Sequence, residues 1–198
     1  MKQRRRRSGL ILGLLALGLL AGVALTAHPA QAVDALGPYY ALPSWDRNMP
    51  AATRFVVLTN WGSQAVLDKE TGLVWEKSPA VIGSGVLWGQ ARSHCMNNTT
   101  GNRLGWRLPS IHELKSLIDP SVASPGPFLP VGHPFLNVQS GTGDPRGGPG
   151  YWSATTETDS PTLTWFARFD IVGASAGSRT SYNNHVWCVR GGNSADTY

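Results

Sequence analysis

The chain has 198 residues, with 17 Lys and Arg against 12 Asp and Glu, for a formal net charge of +5. Five of the basic residues, Lys2 and Arg4 to Arg7, stand at the extreme N-terminus, and without them the two signs balance at 12 each. The excess charge therefore belongs to that end, and the rest of the chain shows no basic run of the kind that tracks a nucleic acid.

The N-terminus reads as an export signal. A basic stretch precedes an apolar run from Gly9 to Ala27, and Ala30-Gln31-Ala32 sets small residues before a signal-peptidase cut. The rival reading is a membrane anchor, since the apolar run approaches spanning length. Arg6-Arg7-Ser8-Gly9-Leu10 also admits twin-arginine export, although Gly9 stands where that signal carries a large apolar residue. Cleavage after Ala32 predicts a periplasmic or extracellular product with no membrane span, of a size that fits one domain. The expected organisation is a signal at 1–32, a lead-in at 33–53, a domain at 54–192 and a tail at 193–198.

In chain order, Arg54 to Thr59 is a β-branched run and predicts a strand. Ala65–Asp68 and Leu73–Lys77 flank Lys69-Glu70-Thr71-Gly72, an arrangement that predicts a hairpin with Trp75 in its core. Ser84 to Asn97 predicts a first helix whose Trp88, Ala91, Arg92 and Cys95 share a face. A second helix follows Gly105-Trp106-Arg107-Leu108-Pro109. Ser110 and Glu113 make a capping box, Ile111, Leu114, Leu117 and Ile118 line one face, and Asp119-Pro120 stops it. Residues 120–150 are rich in Pro and Gly and predict a long irregular loop. Strands return at Tyr151–Thr155, Leu163–Asp170 and His185–Arg190. Segregated helices and hairpins imply an α+β domain with antiparallel sheet.

Cys95 and Cys188 are the two cysteines of the chain. In an exported protein they predict a disulfide, against the alternative of two reactive thiols.

Five segments occur together in order: Thr71-Gly72-Leu73-Val74-Trp75; the helix with Trp88, Ala91 and Cys95; Gly105-Trp106-Arg107-Leu108-Pro109-Ser110 with Glu113-Leu114; Tyr151-Trp152-Ser153; and Cys188-Val189-Arg190-Gly191-Gly192. Over roughly residues 65–192 they resemble the Lcl C-terminal domain family, named after a collagen-like bacterial adhesin. The resemblance implies a C-type-lectin-like fold related to the formylglycine-generating sulfatase-modifying enzymes. It also implies that a disulfide joins the first helix to the last strand. The function it implies is that of a non-catalytic binding module for a glycan, an anionic polysaccharide or a cell-surface partner. The alternatives are an enzyme of the sulfatase-modifying fold and an envelope domain that binds only protein. The adhesin's Gly-X-Y stalk is absent from this chain.

The residues offer little catalytic chemistry. Neither of the calcium-binding triplets of C-type lectins occurs, and Asp144-Pro145-Arg146 and Asn183-Asn184-His185 read as turn residues. His94, His112, His133 and His185 show no metal-ligand spacing, and no Gly-x-Ser-x-Gly elbow appears. No cofactor is expected. Trp61, Trp106, Trp152 and Trp187 are sugar-platform candidates by residue type, but each stands in or beside an element and reads as core. In the implied fold the long loop forms the ligand face. Arg146, Arg179, Asn183 and His185 are therefore the candidate surface, as donors suited to anionic or hydroxyl-rich ligands.

Overall fold

The β-branched run and the hairpin after it build the first sheet. In the computed structural model the described residues are 49–124, 126–140 and 150–192. The expected signal, most of the lead-in, Arg146 and the tail lie outside them. One helical turn, α1 (Ala51–Arg54), leads into β1 (Phe55–Val57), β2 (Ala65–Asp68) and β3 (Leu73–Glu76). Two helices follow, α2 (Trp88–Met96) and α3 (Ile111–Ser116). The later strands are β4 (Tyr151–Thr156), β5 (Leu163–Arg168), β6 (Gly173–Ser178) and β7 (Val189–Arg190). One antiparallel sheet runs β1-β2-β3-β7 and a second runs β4-β5-β6, so the domain is α+β as expected.

Every residue of β3 is buried, and the strand divides the core. Leu73 and Trp75 face one side with Val66, Leu114, Leu117, Phe135 and Trp187. Val74 faces the other with Ala65, Ala91, Cys95, Trp106 and Trp152. The alternation of side chains along a strand places these neighbours on opposite faces, so the first sheet is covered twice. Trp75, Trp152 and Trp187 are fully buried, and Trp61 and Trp106 are 3% exposed, which makes the platform candidates core residues. Two of the indole N–H groups find carbonyl partners, Trp152 donating to Val86 at 2.8 Å and Trp187 to Glu76 at 2.9 Å, whereas that of Trp75 has none among the described residues.

Several boundaries differ from the expectation. The first helix begins at Trp88 because Gly85 has φ +100° and Leu87 is extended. A Cβ on Gly85 would lie 2.8 Å from the Asn184 backbone, close enough that a side chain there would break the Val86–Asn184 bridge. Arg92, placed on the buried face by spacing, is exposed, whereas Ala91 and Cys95 are fully buried. The expected strand at 185–190 narrows to Val189–Arg190. Asn184 and Val186 bridge to the segment before α2, and His185 bridges to Tyr151, so this stretch joins the two sheets.

Strand β6, with the sequence GASAGS, has no β-branched residue and gives no strand signal. It pairs with β5 along all six residues because small side chains suit the site. A Cβ on Gly177 would lie 3.1 Å from the Tyr182 ring, which stacks on Phe166. Part of the long loop also enters the core. Leu129 and Phe135 are buried, the Phe128 N–H donates to the Phe169 carbonyl, and Phe135 packs edge-on against Trp187 at 5.0 Å.

Two ionic clusters fix the helices. Buried Arg54 makes paired 2.8 Å bonds to Asp68, reaches Glu70 at 2.8 Å, and donates to the Ser116 carbonyl at the end of α3. Arg107 grips Glu113 through both guanidinium nitrogens and also donates to the Gly191 carbonyl at 2.6 Å. Glu113 in turn accepts the Ser110 N–H while Ser110 Oγ accepts the Glu113 N–H, which completes the expected capping box.

Candidate functional site

Helix α2 is tied down along its buried stripe. Cys95 and Cys188 form a disulfide with a Cα–Cα distance of 5.5 Å, and both cysteines are fully buried. The bond joins α2 to the residue before β7, as the resemblance implied. Neither cysteine is then a free, accessible thiol.

At its start α2 presents Trp88, half-buried, whose indole N–H donates to the Ser153 carbonyl at 2.9 Å. The Arg179 guanidinium lies 4.3 Å from the centre of that ring, and the Arg92 guanidinium 4.9 Å. Arg92 stands one turn along the same helix. Arg179 follows β6 and is aimed by two hydroxyls, Thr164 Oγ1 at 2.6 Å and Thr156 Oγ1 at 2.5 Å. Among the described residues neither arginine takes part in an ion pair. Two guanidiniums thus gather on one indole, and Arg179 is held besides by two hydroxyls.

The four residues of the candidate surface divide. Arg179 belongs to this cluster, Asn183 is exposed nearby in sequence, and Arg146 lies outside the described residues. His185 corrects the expectation. It is 3% exposed because its backbone bonds to Gly150 and Trp152 and turns the ring onto Tyr151, 5.6 Å away. Neither ring nitrogen has a partner among the described residues, and burial pushes its pKa down. Asn184 is also buried and accepts the Gly150 N–H at 2.9 Å.

On the far flank of α2 lies a cavity of about 480 Å³, whose lining includes Ile82, Val86, Gln90, His94, Asn97 and Asn98. Behind it Glu76, 6% exposed, accepts the Asn98 amide at 2.6 Å, the Thr100 hydroxyl at 3.3 Å and the Cys188 N–H at 2.9 Å. Burial pushes the Glu76 carboxyl up, and these hydrogen bonds oppose the shift. One ligand atom each of Glu76, His94 and Cys188 lies within 4.8 Å of the others. The Cys188 sulfur is committed to the disulfide, so the group falls short of a four-ligand zinc site. Separations of 18 and 94 residues hid this cluster from spacing arguments.

Fold and site together define a disulfide-tied, tryptophan-rich α+β domain whose helix α2 is flanked by a two-arginine cluster and an amide-lined cavity. The family model described as the Lcl C-terminal domain matches residues 64–190, and the chain belongs to that family. No curated protein matches the chain.

Proposed function

We propose that this domain is an exported binding module of C-type-lectin-like fold that recognises an anionic glycan, in the manner of an adhesin domain. The Arg92–Trp88–Arg179 cluster carries the reading. Guanidiniums bind sulfate and carboxylate in a planar, two-pronged fashion. Here one is held by two threonine hydroxyls, so little freedom is lost when a ligand arrives. Export is supported by the disulfide, which fits an oxidising compartment. Among the described residues no helix is long and apolar enough to cross a membrane. The lectin-like fold is supported by the covalent tie between α2 and the last strand.

Chromatography of the purified domain on immobilised heparin, a sulfated polysaccharide, tests the reading. Wild type is expected to be retained and to elute with salt, because exposed charge pairs are screened. Arg92→Ala and Arg179→Lys should both elute earlier, the second because a lysine keeps the charge but loses the fork. Retention that is absent in wild type, or unchanged in the double variant at unchanged Tm, overturns it.

A further inference from the structure

The second flank of α2 shows a different chemistry, and we infer that its cavity is a subsite for an uncharged, N-acetylated sugar unit. The inference rests on the glycan reading above and extends it from charge to sugar type. The volume, about 480 Å³, falls in the range of small-molecule pockets. Its lining combines two aliphatic side chains, Ile82 and Val86, with the carboxamides of Gln90, Asn97 and Asn98. That pairing matches an acetamido group, in which a methyl adjoins an amide. Among the described residues no carboxylate, lysine or arginine lines the cavity, and His94 is the one titratable side chain there, so neutral polar groups dominate the wall.

The amides are held with one end turned to the protein, which fixes what the other end offers. Gln90 Oε1 accepts the Leu87 N–H at 3.1 Å, so its NH2 group remains as donor. Asn97 donates its NH2 to the Ser93 carbonyl at 2.9 Å, and its oxygen remains as acceptor. An acetamido carbonyl and N–H need one donor and one acceptor of this kind. Asn98 is fixed from behind: its NH2 donates to Glu76, and its oxygen takes the Thr100 N–H at 2.8 Å and the Thr100 hydroxyl at 2.7 Å. Glu76 is therefore a positioning residue that stiffens the wall without touching a ligand. Trp88 and Arg92 stand on one side of α2 and Gln90 and Asn97 on the other, so the anionic site and this cavity flank the same helix.

The test is NMR titration of the full exported domain with a chitin tetrasaccharide (N-acetylglucosamine units), a cello-oligosaccharide of equal length, and a heparin tetrasaccharide. The chitin oligomer should shift the amide and side-chain resonances of Gln90, Asn97 and Asn98 and leave Thr156 and Thr164 unmoved. The cello-oligosaccharide should bind at least about tenfold more weakly, as expected for a polar contact left unmade. Gln90→Glu keeps the acceptor that holds Leu87, removes the free donor and adds a negative charge, to which a neutral oligomer is indifferent. It should retain the wild-type Tm and lose about tenfold in affinity for the chitin oligomer. If the chitin oligomer moves no resonance of Gln90, Asn97 or Asn98, or the two neutral oligomers bind alike, or Gln90→Glu binds as wild type, the inference fails. Heparin shifts confined to Trp88, Arg92 and Arg179 would then leave the anionic reading standing. Chitin binding without any heparin response would instead remove the anionic reading and keep this one.

Discussion

Loss of the Cys95–Cys188 bond is expected to be the costliest single chemical change in the domain. The bond closes a loop with a sequence separation of 93. The chain-entropy relation gives about 4–5 kcal/mol for a loop of that size. At roughly 2–4 °C per kcal/mol for a chain of this length, the melting temperature should fall by about 10–20 °C. The side chains left behind set the order among variants. Both positions are fully buried among Ala91, Trp106, Trp152 and Val186, with Glu76 and His94 polar groups within 4.8 Å of the Cys188 sulfur. Alanine leaves a small void there, whereas serine buries a hydroxyl, which costs about 1–3 kcal/mol where it stays unpaired and less at 188, where Glu76 or His94 can partner it. Cys95→Ala, Cys188→Ala and the double alanine variant should therefore melt close together, with Cys95→Ser below Cys95→Ala. Circular dichroism melts of these variants and wild type, at pH 7 without reductant, supply the comparison. A single alanine variant within about 1 kcal/mol of wild type would refute the reasoning, since either substitution must open the same loop.

Asp68→Asn should destabilise the domain by about 3 kcal/mol, the low end for a broken buried pair, because Arg54 loses its two-pronged partner and keeps only Glu70 among the described carboxylates; the urea midpoint measures this. A pH dependence follows from His185. Its pKa is lowered on folding, so the unfolded chain takes up the proton first as pH falls. Stability should be full above about pH 6.5, decline as pH drops from there to the lower folded value, and level off below it. His133, also shifted down by burial, adds to the same slope. His185→Phe should flatten part of that slope and change stability little at pH 8, since neither ring nitrogen has a partner among the described residues. Urea midpoints from pH 5 to 8 check both statements.

Much of this protein was legible in one dimension. The hairpin, the capping box of α3 and the buried tryptophans follow from local rules: period-two alternation, a Ser-x-x-Glu spacing, and the size of an apolar ring. The disulfide followed from counting cysteines in a chain whose N-terminus reads as an export signal. The family was legible because five short segments kept their order. What the sequence could not carry was anything decided by distant neighbours. Strand β6 has no strand propensity and exists because β5 and Tyr182 leave room only for small side chains. His185 looks like a surface donor beside two asparagines, yet bonds to Gly150 and Trp152 turn it inward. Leu129 and Phe135 read as loop because their partners, Phe169 and Trp187, lie more than 30 residues on. The same holds for the site. Arg92 and Arg179 are 87 positions apart, and no spacing rule joins them. Only the docking of α2 on the second sheet brings both guanidiniums to Trp88, because helix and strand packing, unlike periodicity, is set by contacts between segments remote along the chain.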